Sequence, residues 1–149
     1  MKMKKISIIM LMGVSILMIN GCAKKKGCTD SSAVNFDSSA QKDDGSCTYQ
    51  GKSTFWYGKN ASDSLAAHGA TALTYYLDGI IIGSSAASVY FTSSPACGQS
   101  GTISVTKSLG SVKSKSFPYV IKDQNGIAWW TGNLSLDASQ SCTLTELTF

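Results

Sequence analysis

Thr71-Ala-Leu-Thr-Tyr-Tyr-Leu77, then Asp78-Gly79, then Ile80-Ile-Ile-Gly83 is the stretch on which the fold turns. Two runs rich in β-branched and aromatic residues flank an Asp-Gly pair. That pair favours the left-handed backbone of a two-residue hairpin turn, and the combination predicts two antiparallel strands. Within the first run, Leu73, Tyr75 and Leu77 fall on one face, and Thr74 and Tyr76 on the other.

The same grammar extends outward. Lys52 to Tyr57 predicts a strand, and a polar loop follows through Gly69. Ser88 to Thr92 predicts another strand, and Pro95 and Gly98 place Cys97 in a turn. Thr102 to Lys107 sets Ile103 and Val105 on one face, as Phe117, Tyr119 and Ile121 are set further on. Asp123-Gln-Asn-Gly126 turns the chain into Ile127 to Thr131. Asn133 to Leu136 alternates after Gly132, and Ser141 to Phe149 supplies a last segment. Seven to nine short strands with no segment of helical period predict an all-β domain over 51–149. Its expected architecture is an antiparallel β-sandwich, Ig-like or transthyretin-like.

Residues 28–49 differ in kind. Ala33, Val34, Phe36 and Ala40 are the only apolar residues between Cys28 and Cys47, too few for a core, so this unit needs a covalent staple. The chain holds five cysteines. If Cys22 is modified, Cys28, Cys47, Cys97 and Cys142 remain as an even set suited to an oxidising compartment. Four cysteines allow three connectivities; the order of the segments favours Cys28 with Cys47 and Cys97 with Cys142.

The amino terminus explains Cys22. Lys2, Lys4 and Lys5 form a basic region, Ile6 to Ile19 an apolar run, and Asn20 and Gly21 a small polar close, the pattern of a secretory signal over 1–21. Ile19-Asn20-Gly21-Cys22 resembles the lipobox of bacterial lipoproteins, which implies diacylation of the Cys22 thiol and a lipidated tether over 22–27. Ala23, where many inner-membrane lipoproteins carry aspartate, points to the outer membrane, facing the periplasm or the surface. Residues 28–49 resemble a short repeat of Bacteroidetes surface proteins, matched at Cys28, Thr29, Asp30, Ala33, Asn35, Phe36, Asp37, Ala40, Asp43, Asp44, Gly45, Ser46 and Cys47. Residues 51–149 resemble a small domain of Bacteroidetes lipoproteins through Phe55-Trp56, Pro95, Cys97, Gly98, Trp130, Gly132 and Cys142. Neither resemblance implies a chemical activity.

Composition excludes one class. Removing the three leader lysines leaves ten lysines against nine acids, and the chain has no arginine. Nucleic-acid recognition leans on arginine and a strong positive field, so no nucleic-acid partner is expected. Lys24 to Lys26 form a solvated spacer or touch anionic headgroups.

Two groups of residues remain as candidate sites. Asp30, Asn35, Asp37, Asp43 and Asp44 gather oxygen-bearing side chains as Ca²⁺ requires, although the spacing is not that of an EF-hand. The competing reading commits them to Asx turns and caps. The adjacent pairs Trp56-Tyr57, Tyr75-Tyr76 and Trp129-Trp130 should each put one ring in the core and one outside, and outward rings can stack on sugars or anchor a protein.

Catalytic groupings are sparse. His68 is the single histidine, with Ser64 and Asp63 nearby in sequence. The carboxylates Asp63, Asp78, Asp123, Asp137 and Glu146 sit mostly in turns or in polar strand phases. The expectation is a membrane-anchored lipoprotein acting as a non-catalytic binding or structural module of the cell envelope, in contact with the membrane through the Cys22 lipid. The alternatives are a carbohydrate-binding accessory lipoprotein using exposed aromatics, with a glycan or an envelope protein as partner, and a calcium-braced surface adhesion module.

Overall fold

The computed structural model describes residues 23–149; the leader and Cys22 lie outside them. The Thr71–Gly83 stretch forms β4 (Ala72–Leu77) and β5 (Ile80–Ala86), paired antiparallel. Asp78 and Gly79 both adopt left-handed backbone, at φ 54° and 75°, as a tight turn matched to the strand twist requires. Leu73, Tyr75 and Leu77 are buried, while Thr74 and Tyr76 are half-buried on the outer face.

β7 (Ser114–Asp123) and β8 (Ala128–Asp137) complete a four-stranded antiparallel sheet in the order β5-β4-β7-β8. The segments on either side of Gly132 are therefore one strand. At Gly132 an added Cβ would lie 2.9 Å from the Tyr119 ring, so glycine leaves room for that ring on the neighbouring strand.

β3 (Tyr49–Trp56) is the centre of a second, three-stranded sheet, between β6 (Ile103–Gly110) and β9 (Thr143–Glu146). Phe55 joins the sheets, its ring centroid 6.0 Å from that of Tyr75 and 5.3 Å from that of Tyr119. Leu73, Leu77, Ile121 and Leu136 are fully buried in the same interior. At Gly51 an added Cβ would meet Leu136 Cβ at 2.6 Å, which marks a close approach between the two layers.

The result is a mostly β, sandwich-like arrangement of two facing sheets, and three expectations change. First, the sandwich is not wholly antiparallel: β9 runs parallel to β3, with Ser53 opposite Thr143 and Trp56 opposite Glu146. The C-terminal end of β8 lies beside the start of β3, as the Gly51–Leu136 approach shows. A chain crossing from there enters the second sheet in the direction of β3. Second, the expected polar loop contains a helix, α1 (Lys59–Ala67), whose buried face is Ala61, Ser62 and Leu65. Ser62 Oγ donates to the Ala87 carbonyl at 2.9 Å, so a serine serves as a core-facing residue. Lys59 and Asp63 pair at 2.7 Å one turn apart on the exposed side. The helix ends in a Schellman motif: Gly69 N–H donates to Ala66 O and Ala70 N–H to Leu65 O, with Gly69 at φ 76°. Third, Ser88–Thr92 is not a strand. It turns after Ala86 and joins the sheet region through a single bridge between Phe91 and Gly58.

The N-terminal unit is stapled by Cys28–Cys47 and opens with a two-residue parallel pair, β1 (Lys26–Gly27) with β2 (Lys42–Asp43). The pairing thus begins within the segment read as tether. Cys28, Ala33, Cys47 and Tyr49 form its small buried centre. The second disulfide, Cys97–Cys142, joins the segments preceding β6 and β9, and so spans β3 from one neighbour to the other. Beneath it Thr54 Oγ1 lies 3.3 Å from Cys97 Sγ and 2.7 Å from Ser104 Oγ, and accepts the Gly98 N–H at 3.2 Å. The staple covers the outer side of β3, which is why both Ser53 and Thr54 are buried on a two-faced strand.

Candidate functional site

Four chain segments meet at one end of the sandwich: the end of β3, the start of α1, residues 91–93, and residues 146–149. They enclose a cleft of about 740 Å³. Trp56, Phe91 and Phe149 supply apolar lining, and Asn60, Ser64 and Glu146 supply polar lining. The volume lies in the ~300–1,000 Å³ range of small-molecule sites.

An aromatic series positions one wall. Tyr57, just past β3, stacks on Trp130 at 5.8 Å between centroids, and Trp130 stacks on Phe149 at 4.8 Å with 21° between planes. Trp130 Nε1 donates to the Thr148 carbonyl at 3.0 Å, which fixes the backbone next to Phe149. Phe149 then meets Trp129 edge-on at 5.8 Å, and Trp129 meets His68 edge-on at 5.6 Å. Phe149 is 66% exposed, so its ring stays largely open although both tryptophans hold it.

The six aromatics named from the sequence separate into different roles. Tyr75 and Trp130 are buried, and their neighbours Tyr76 and Trp129 are half-buried, as strand alternation requires. Trp56 and Tyr57 depart from it, with 8% and 2% exposure. The strand ends at Trp56, where Leu147 N–H pairs with its carbonyl; Tyr57 then turns inward and its hydroxyl donates to the carbonyls of Ala86 and Ala87. Burial pushes the Tyr57 and Tyr75 phenols above their ordinary range, which favours the neutral form of both. Tyr76 lies apart on the outer face of the four-stranded sheet, with Lys122 Nζ 5.6 Å from its ring centroid. Phe91 and Phe149 were missed: Phe149 belongs to no aromatic pair, and Phe91 follows Tyr90 in a segment read as a short strand; the adjacent Tyr90-Phe91 and the alternation of Leu147 and Phe149 were the available signals.

The carboxylates of the N-terminal unit are committed one by one. Asp30 takes Lys113 at 2.6 Å, the Ser32 hydroxyl and N–H, and the Tyr49 hydroxyl at 2.9 Å; these hold its carboxyl well below the usual range. Asp37 accepts from Ser39 and pairs with Lys25 at 2.9 Å, with the same effect. Asp43 accepts the Gly45 N–H at 3.4 Å and Asp44 the Ser46 N–H at 3.0 Å. Asn35 bridges Ser46 O and Thr48 N. Among the described residues no three His, Cys, Asp or Glu side chains are grouped so as to hold a metal ion. The residues of the expected Ca²⁺ set are thus each engaged within the protein: Asp30, Asp37, Asp43 and Asp44 close local turns, Asp30 and Asp37 also pair with lysines, and Asn35 ties Ser46 to Thr48.

In the sandwich, Asp123 is buried, which opposes its charge. The N–H groups of Ile127 and Asn125 and the Trp129 indole outweigh that burial and lower its pKa. Asp78 is held down by Lys107 at 2.8 Å, and Asp137 by Ser139. His68 Nδ1 lies 2.8 Å from the Ser64 carbonyl, not its hydroxyl, and Asp63 is engaged by Lys59. Among the described residues Glu146 alone of the carboxylates has no hydrogen-bond or ion-pair partner, and it lines the cleft.

No protein-family model, curated protein or solved structure matches the chain.

Proposed function

We propose that the chain is a lipid-anchored module of a bacterial cell envelope that binds a partner or ligand without transforming it. The observation that carries the binding role is the cleft, where side chains free of other partners stand beside the Phe149 ring, which Trp129 and Trp130 hold while it stays largely exposed. Asn60, Ser64 and Glu146 make no side-chain hydrogen bond within the described residues, whereas the other carboxylates are all engaged. Unspent polar groups next to apolar surface are what a recognition site presents before its ligand arrives.

The envelope address rests on the leader and on Cys22, and the two disulfides accord with an oxidising compartment. Among the described residues no helix is long and apolar enough to cross a membrane; the attachment in this reading is the Cys22 lipid, on the strength of the sequence around Cys22. In this reading the 28–49 unit is a spacer that docks on the sandwich through Asp30, Tyr49 and Lys113.

The test is fatty-acid labelling and fractionation of cells producing the full chain or its Cys22→Ser variant. The native chain should incorporate label and sediment with outer membranes, and the variant should lose both. Label-free native chain in the soluble fraction would overturn the anchored reading.

A further inference from the structure

We infer that the cleft between α1 and the 146–149 segment binds a neutral saccharide, with Phe149 as the stacking platform and Asn60, Ser64 and Glu146 as hydrogen-bonding groups. This rests on the binding role proposed above and names its ligand class.

A pyranose has an apolar face of C–H groups and a rim of hydroxyls that both donate and accept, so its site needs a ring surface beside mixed donors and acceptors. Phe149 meets the first need. Trp130 stacks on one side of it at 4.8 Å, and the ring remains 66% exposed. The platform is prefixed, because the Trp130 indole holds the backbone at Thr148. Ordering it on binding therefore costs little entropy.

The polar rim fits a neutral ligand better than an anion or a cation. Glu146 is an acceptor-only carboxylate suited to a pair of hydroxyls, Asn60 offers both donor and acceptor, and Ser64 either. The lining cation, Lys59, is already bound by both oxygens of Asp63. An anionic ligand would face Glu146 with that lysine engaged. A cationic peptide side chain could reach Glu146, but it would leave the amide and hydroxyl groups without complementary partners. The cleft volume has room for more than one sugar ring.

Isothermal titration of the detergent-solubilised full chain tests this, using hexasaccharides of neutral β-glucan, α-glucan, mannan and xylan, an oligouronate and an oligolysine. At least one neutral hexasaccharide should bind. Phe149→Ala should weaken it about tenfold, the usual share of one central aromatic contact. Asn60→Ala and Glu146→Gln should each weaken it several-fold with the melting temperature unchanged, since neither side chain has a partner to lose. Tyr76→Ala, on the outer sheet face, should leave it unaltered. Failure of every neutral sugar to bind, preference for the oligouronate or oligolysine, or indifference to Asn60→Ala and Glu146→Gln would overturn the inference. If Cys22-dependent labelling persists in that case, the envelope reading stands without the saccharide. If labelling is absent while the titration succeeds, the reverse holds.

Discussion

Asp30 shows how a single side chain joins two parts of the molecule. Its carboxylate accepts from Ser32 within the N-terminal unit, and from Tyr49 and Lys113 at the edge of the sandwich. Asp37, Asp44, Asp78, Asp123 and Asp137 likewise have lowered pKa values. A carboxyl whose folded pKa lies below its unfolded value contributes stability above the unfolded pKa, and loses it as pH falls through the folded one. The melting temperature should accordingly be flat from neutrality to mildly acid pH and fall steadily below the ordinary carboxylate value of 3.8. Asp30→Asn should shrink that fall; circular-dichroism melts from pH 7 to pH 2 would show it, and an equally steep loss in the variant would contradict the assignment. At Gly51 the limit is space. Gly51→Ala forces a methyl toward Leu136 and should cost ~1–3 kcal/mol in urea unfolding. The aspartates could be read in the sequence as turn formers because an Asx turn is local. That Asp30 also reaches Lys113 could not, since their meeting depends on the folded placement of β7.

Elements were legible to the degree that their cause is local. The Asp78-Gly79 hairpin was, because its turn is encoded in two residues with positive φ. Helix α1 was not, because the face it buries is an alanine, a serine and one leucine, which show little amphipathic contrast in sequence. Its signals were quieter: a Lys59–Asp63 spacing and Gly69 at the C-terminal end. Leu65 is fully buried, so Leu65→Ala should destabilise by ~2–5 kcal/mol in chemical denaturation. Ser62→Ala should cost about 1 kcal/mol through the lost bond to Ala87. A larger effect from Ser62→Ala than from Leu65→Ala would mean that the helix is held by its hydroxyl contact rather than by packing. Strand β9 was expected, but its parallel course along β3 was not, since the crossing from one sheet to the other leaves no mark in the segment itself.

At the scale of the whole molecule, two staples divide the work of a chain with a modest core. The Cys97–Cys142 link has a sequence separation of 45 and the Cys28–Cys47 link one of 19. By loop-closure entropy the first restricts the unfolded chain more, by about 4 against about 3 kcal/mol. Replacing Cys97 and Cys142 together by serine should therefore lower the unfolding midpoint further than replacing Cys28 and Cys47, and should loosen the 146–149 wall of the cleft. The cleft itself was half legible. Trp56, Tyr57, Trp129 and Trp130 were named from their sequence pairs, but only Trp56 lines the cleft, the two tryptophans of β8 backing Phe149 from behind, and the space exists only because an unanticipated helix and the final segment come together across the sheet end. The central claim is that this cleft is where an envelope-anchored module meets its ligand. Its most direct test is in-cell photocrosslinking from a benzophenone side chain at Thr92, on the cleft, compared with one at Ser135, on the exposed face of β8. A discrete adduct from Thr92 that is absent from Ser135 and lost with Phe149→Ala is the predicted result. Equal adducts from both positions, or none from Thr92 in cells where the protein is membrane-bound, would contradict it.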